Sequence, residues 1–448
     1  MSQKTFQWTV MGSLLFAVPG AVWAQGQGPT ATSTAANVPV LSSGQMPSSA
    51  PTANQPAENA YSLGITAGTY FDDNANLRAT PRQWDLGYMV APEISFTETL
   101  PRLDWSIEYE PGITISQNLL YRNQFSQGLN GNVAYLVSPH GLLTAQEYFM
   151  VSTNPFAQLG SSTAAPGPIV SPNQSPYIPN LRRTSTLTNA LYSYQFSEHS
   201  SFGIGGNFNL SRFDNTPKSG PTTSLIYSQR ASGEAYVSHQ FSARETLGIQ
   251  YGIQVLKFPH QDARTTTDTI LIFNQVRLSP RSSFTIYGGP EYSDTFNQVE
   301  LSLGFIVITI PVKAQQWSGS GGVMYNWSGQ RLGLSLDFMR GISDGGGLVG
   351  AVELDSGNAR ISWRLSRRWN MFTELSGSND TLLATSTNEG LLTYSERVGL
   401  SQQIWRDLSI QWYYERLNQT GGFANLPVGN HDFAGASLTY KLLRPIGR

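Results

Sequence analysis

The chain has 448 residues, of which 13% are charged and 11% aromatic, with 43 Gly, no Cys and a formal net charge of -2. Charge at about half the share of a soluble protein, near-neutrality and the lack of Cys speak against nucleic-acid partners, a disulfide framework and a lipid-anchored cysteine. Beyond the N-terminal segment no window approaches the ~18 apolar residues of a spanning helix.

Residues 1–24 carry Lys4, an apolar run through Leu14, Leu15 and Val18, and the small-residue exit Val22-Trp23-Ala24. This pattern predicts a signal peptide, with a mature start near Gln25. Residues 25–58 are rich in Pro, Ala, Ser and Thr with almost no large apolar side chain. Such a segment buries too little surface to offset its ordering entropy, and it is expected to be a disordered periplasmic leader.

From 59 to 448 the chain reads as all-β. Short polar turns recur at Leu100-Pro101-Arg102, Ser138-Pro139-His140-Gly141, Ser197-Glu198-His199-Ser200, Ser242-Ala243-Arg244-Glu245, Ser279-Pro280-Arg281-Ser282, Ser328-Gly329-Gln330-Arg331, Ser366-Arg367-Arg368-Trp369 and Trp405-Arg406-Asp407. Between successive short turns lie two strand-like segments joined by a longer loop, the asymmetry of an outer-membrane barrel. Eight such turns imply nine hairpins. The expected fold is therefore a transmembrane antiparallel up-and-down β-barrel of about 18 strands, with 16 as the alternative.

Period-two alternation supports this. Phe202, Ile204, Phe208 and Leu210 share one face, while Gly203, Gly205, Asn207, Asn209 and Ser211 share the other. Leu247, Ile249, Tyr251 and Ile253 oppose Gly248, Gln250, Gly252 and Gln254 in the same way. Large apolar groups on one face and small or polar groups on the other suit a wall between hydrocarbon and water. Three features disturb the pattern. Pro92, Pro111 and Pro290 fall inside strands, where bulges or rim positions are expected. The apolar stretch Val299 to Val312 lies where this count needs a loop; it reads as a hairpin extension, an inward flap or a miscount. The proline-rich loop 153–181 is expected to fold inward as a constriction or to lie on the surface.

The run Tyr70-Phe71-Asp72-Asp73-Asn74 and turns such as Phe196-Ser197-Glu198-His199-Ser200 resemble those of outer-membrane β-barrel porins often linked to exopolysaccharide export. The resemblance spans residues 60–448 and implies an outer-membrane location and a barrel, reached by secretion across the inner membrane. Many such barrels end on an aromatic residue, whereas this chain ends Leu442 to Arg448, leaving Tyr440 and Leu442 as the candidate assembly signal.

No catalytic, metal or cofactor site emerges. His140, His199, His239, His260 and His431 show no spacing for a shared base, and Asp72-Asp73-Asn74 lacks the spacing of a calcium loop and reads as a turn. The candidate pore-lining charges are Glu93, Asp104, Glu108 and Glu110 on early strands and Arg360, Arg364 and Arg397 on late ones. They read either as a transverse field or as scattered solvated lining. The expected function is a channel for solutes or polysaccharide; the alternative is a plugged structural or surface-interaction barrel. Expected partners are outer-membrane lipid, the barrel-assembly machinery and polysaccharide or small hydrophilic solutes, with no nucleic acid.

Overall fold

The computed structural model describes residues 59–77, 81–119, 123–152, 182–214, 227–259, 261–303, 306–347, 350–383, 390–421 and 428–445. The expected signal peptide, the leader and the 153–181 loop lie outside them. The described residues form β1 (Ala60–Asp72), β2 (Asp85–Thr99), β3 (Leu103–Ser116), β4 (Gln124–Ser138), β5 (Gly141–Ser152), β6 (Arg182–Gln195), β7 (Ser200–Asp214), β8 (Ser228–Ser242) and β9 (Glu245–Phe258). They continue as β10 (Ala263–Ser279), β11 (Ser282–Leu303), β12 (Ile306–Ser328), β13 (Leu332–Ser343), β14 (Val352–Arg364), β15 (Trp369–Leu382), β16 (Gly390–Trp405), β17 (Leu408–Gly421) and β18 (Gly429–Pro445). Each strand pairs antiparallel with its sequence neighbours, and β1 also pairs with β18. The sheet closes as an 18-stranded barrel, so the 16-stranded alternative falls. Strands about 4.8 Å apart and tilted about 40° enclose a cylinder roughly 35 Å across.

The eight short turns join β2 to β3, β4 to β5 and so on to β16 and β17. Their recurring Ser has a structural reason. Its Oγ accepts the N–H two residues on in His140 to Ser138, His199 to Ser197, Arg244 to Ser242, Arg281 to Ser279 and Arg368 to Ser366, a side-chain turn that frees the following basic residue to face water. Register shifts at 136/138, 240/242, 277/279 and 403/405 place bulges beside four of these turns. They sharpen the local twist at the rim.

Exposed Leu63, Ile65, Ile204, Phe208, Ile249 and Ile272 mark the outer face, and the alternate positions are buried or half-buried toward the lumen. Aromatic rings such as Trp405, Phe241 and Trp363 on the short-turn side, and Phe71, Trp84 and Trp317 on the other, are exposed at the two edges of this band. Apolar band and aromatic girdles are the lipid-facing signature of a membrane barrel.

The prolines behave otherwise than expected. Pro92 and Pro111 stand opposite each other in mid-wall: the β2–β3 pairing runs to Val90↔Ile113 and resumes in the same register at Ile94↔Tyr109. A proline on each side withdraws both donors from one rung, so the ladder is interrupted without a bulge. Pro290 does the same against Ile270, between the pairs Thr269↔Glu291 and Ile272↔Gly288.

The stretch Val299 to Val312 is the hairpin extension. β11 pairs with β12 along its whole length, to Leu303↔Ile306, whereas β10 meets β11 only as far as Phe296 and β13 meets β12 only from Gly321. A two-stranded ribbon therefore rises beyond its neighbours.

Six lumenal rings explain part of the glycine content. Tyr70 lies opposite Gly87, Tyr236 opposite Gly203, Phe273 opposite Gly248, Tyr287 opposite Gly322, Phe372 opposite Gly399 and Tyr413 opposite Gly435. A Cβ on any of these glycines would stand 2.1–2.5 Å from the ring atoms or, at Gly322, also from a backbone oxygen. Each ring lies flat across the glycine and shields its backbone, the cross-strand aromatic rescue of a weak β-former.

Candidate functional site

The lumen carries the polar chemistry of the chain, in three groups. On β2 and β3, Glu93, Glu108 and Glu110 point inward in alternation with the exposed Ile94, Ile107 and Tyr109. They are mutually coupled electrostatically, and Lys441 of β18 bonds Glu93. The register sets Glu93 opposite Glu110, one pair along from Pro92 and Pro111. Asp104 shares this face but lies exposed near the short-turn rim.

On β14 to β17 the inward positions form a ladder of alternating charge. The register puts Arg360 opposite Glu374, Glu374 opposite Arg397, and Arg397 opposite Glu415. The Arg397 guanidinium also lies 5.3 Å from the Phe372 ring centroid and 5.6 Å from that of Tyr413, and Arg360 lies 5.9 Å from Phe372. Opposite charges at facing positions on adjacent strands offset one another, and Arg397 acts electrostatically on Glu415. Arg364 has the same facing but sits exposed at the rim. The late strands are thus not a basic wall. Glu374 and Glu415 stand opposite Arg360 and Arg397, which weighs against the transverse field and toward the other reading of these residues, scattered lining charges.

A different basic pair faces the lumen, on β6 and β8. Arg183 donates from Nη2 to Ser211 Oγ at 3.2 Å, and Arg230 is 2% exposed. The connection from β13 to β14 reaches them from the far side. Ser228 donates to Asp344 Oδ2 at 2.6 Å, and Asp344 acts electrostatically on Arg183, Arg230 and Asp380 of β15. Asp344 therefore stands between β15 and β8, and its loop crosses the lumen. The local sequence Asp344-Gly345-Gly346-Gly347 permits this: the three glycines have φ of 56°, 61° and 105°, conformations that only Gly adopts freely. A Cβ on Gly347 would lie 2.4 Å from the Phe213 ring of β7, so the loop packs against that wall.

The β1–β2 connection also folds inward. Asn74 N–H donates to Asp72 Oδ1 at 3.0 Å, Asn74 Nδ2 to Asn430 O at 2.8 Å, and Asp432 N–H to Asp73 Oδ1 at 2.7 Å. Asp72 lies 2.5 Å from buried His431. Asp72-Asp73-Asn74 is thus a turn pinned to β18, over a cluster of Tyr70, Leu77, Leu417 and Phe433. The histidines are nearer each other than their spacing suggested. His199 and His239 approach to 6.4 Å, and Ser200 Oγ lies 2.9 Å from His239 Nδ1. This contact is exposed on the outer short-turn rim beside Phe241 and does not face the lumen.

Sequence reasoning missed Arg183, Arg230, Asp344, Glu374 and Glu415. The Asp-Gly-Gly-Gly run was the one local signal available for any of them.

The chain matches no protein-family model and no curated protein. Solved structures similar to it include OccK2 (OpdF) of Pseudomonas aeruginosa in complex with glucuronate, at 9% identity and TM-score 0.41 over 87% of this chain and 98% of that one. OccAB4 of Acinetobacter baumannii is 10% identical with TM-score 0.40 over 88% of this chain and 100% of that one. The ferric-catecholate import receptor Fiu of E. coli K12, in its open form, is 7% identical with TM-score 0.44 over 88% and 82%. At these values the similarity assigns this chain to no family.

Proposed function

We propose that the chain is an outer-membrane channel that passes hydrophilic solutes through a lumen narrowed by the β13–β14 loop. The observation that carries this reading is the closed wall with an apolar exterior and a charged interior crossed by a loop tethered at Asp344. A wall of 18 strands is too wide for its own side chains to fill, and a loop held at Asp344, by glycine packing and by Ala351 in a buried cluster with Leu256, Phe258 and Ala263 narrows it. Passage of polysaccharide is the wider-cargo form of the same proposal. The lining residues for which it stands are Glu93, Asp104, Glu108, Glu110, Arg360, Arg364 and Arg397, joined by Arg183, Arg230 and Asp344.

Burial of the lumenal charges favours a second reading, a plugged barrel. Conductance in planar bilayers, with sugars and sugar polymers of graded size as blockers, separates the three. Steps blocked only by small sugars support a solute channel, steps blocked by polymers support a polysaccharide outlet, and a silent folded barrel supports the plug.

Location is tested independently: the protein should fractionate with the outer membrane, and recovery in the soluble periplasm would refute the proposal. Basic residues at the short turns, such as Arg244 and Arg281, suit anionic headgroups on the periplasmic side. A cysteine at Gly422 should therefore label from outside intact cells and one at Ala243 should not.

A further inference from the structure

Among the described residues, lumenal charges such as Glu93, Glu234 and Asp337 have a partner in the wall, and Arg230 does not. It is almost wholly buried, it points inward between Ser228 and Ser232, and none of its Nε, Nη1 and Nη2 has a hydrogen-bond partner. Directly opposite on β7 is Asn209, also buried, whose Oδ1 lacks a donor. Arg183 reaches the same place through Ser211, the cross-strand neighbour of Ser228, and leaves its own Nε unbonded. A buried guanidinium without acceptors is costly in a native wall. Three free donors beside a free acceptor describe what is missing.

Charge narrows the choice further. Asp344 is the carboxylate that acts on both arginines, and it is already bonded by Ser228. The next inward carboxylate on β8, Glu234, lies four residues toward the short turns and receives Gln250 Nε2 at 2.8 Å. Among the described residues Asp344 is the one carboxylate that acts on either guanidinium group, which leaves a surplus of one positive charge and matches a monoanion. Asn209 Oδ1 asks for a hydroxyl donor next to it.

We propose that Arg183, Arg230 and Asn209 form a lumenal subsite for a hydroxylated monocarboxylate, whose carboxylate bonds the guanidinium groups and whose hydroxyl donates to Asn209, with Asp344 as the competing anion. This rests on the channel reading and gives it a substrate class. Bidentate carboxylate recognition is the geometry that guanidinium groups favour.

The test uses the full-length protein in planar bilayers carrying chloride current, blocked from one side by gluconate, acetate or glucose. Gluconate should block at lower concentration than either other solute. Arg230→Ala should raise the half-blocking gluconate concentration about tenfold or more, as expected for a lost charged hydrogen bond, and leave glucose unchanged. Asn209→Ala should weaken gluconate and not acetate, and Asp344→Asn should strengthen both anions. Equal block by gluconate and glucose, or block indifferent to Arg230→Ala, would overturn the proposal. If Arg230→Ala does not assemble, the Asp344→Asn response decides in the same way. If the wild type is folded but silent, the channel reading fails, and calorimetric titration of gluconate into the detergent-solubilised protein tests the subsite alone. Binding lost in Asn209→Ala and tightened in Asp344→Asn supports the subsite, and no binding refutes it.

Discussion

Two lumenal arginines of the same barrel live in opposite surroundings. Arg397 on β16 faces Glu374 and Glu415 on its two neighbouring strands and lies against the rings of Phe372 and Tyr413. Arg230 on β8 faces a neutral Asn209 and has no hydrogen-bond partner. Both are buried. The wall of β14 to β17 therefore carries its own counter-charges, while the wall of β6 to β8 balances its charge only with something added, such as the Asp344 loop or a solute. Burial of charge alone does not mark a binding site; burial without neutralisation does.

The largest effect should come from unbalancing the wall that carries its own counter-charges. Arg397→Ala leaves Glu374 and Glu415 on either side of β16 without the cation between them, and loss of one partner from a buried charged set costs about 3–5 kcal/mol. The midpoint of guanidinium unfolding in detergent should fall accordingly. Arg230→Ala should leave that midpoint unchanged or raise it; an equal fall in both variants would erase the contrast.

Next in size is the test of which face is which. Phe208→Arg, if Phe208 lies near the midplane, should cost about 2–4 kcal/mol and impair assembly, whereas Asn207→Arg faces the lumen and should be tolerated. Heat-modifiable migration on gels reports assembly directly. Equal damage from the two substitutions would reverse the assignment of faces.

A smaller effect is expected at the ring-covered glycines. Gly203→Ala drives a methyl to 2.3 Å from the Tyr236 ring, and overpacking of this kind costs about 1–3 kcal/mol. Adding Tyr236→Ala should recover much of that loss, so a double-mutant cycle with no coupling would refute the pairing. The smallest change is at the loop tether. Ser228→Ala removes one hydrogen bond to Asp344, worth about 1.5–3 kcal/mol to the tether at most since one partner is charged, and it should widen current fluctuations while hardly moving the unfolding midpoint.

Much of the barrel was legible because its signals are local. The Ser that caps each turn at Arg244 or Arg281, and the alternation through Phe202 to Leu210, are written within a few residues of one another. What was illegible depends on register across strands. Arg360 and Arg397 left the transverse field and the scattered lining undecided because Glu374 and Glu415 become their neighbours only when β15 and β17 pair at a particular offset. The same holds for Tyr236 over Gly203, which are 33 positions apart in the numbering and opposite in the sheet. The stretch Val299 to Val312 kept three readings open for another reason: its two strands pair with each other alone beyond the wall, so its length exceeds the spacing that a barrel count expects. Asp344 was missed because a three-glycine run marks a turn without saying where the turn points.

The most direct test of the account is single-channel recording of the wild type beside Asp344→Ala, both first shown to be folded by heat-modifiable migration. The account predicts discrete steps from the wild type and larger steps, with admission of larger sugars, once the carboxylate that holds the loop to β8 is gone. Identical conductance and size limits in the two proteins, or silence from both, would contradict a lumen narrowed by this loop.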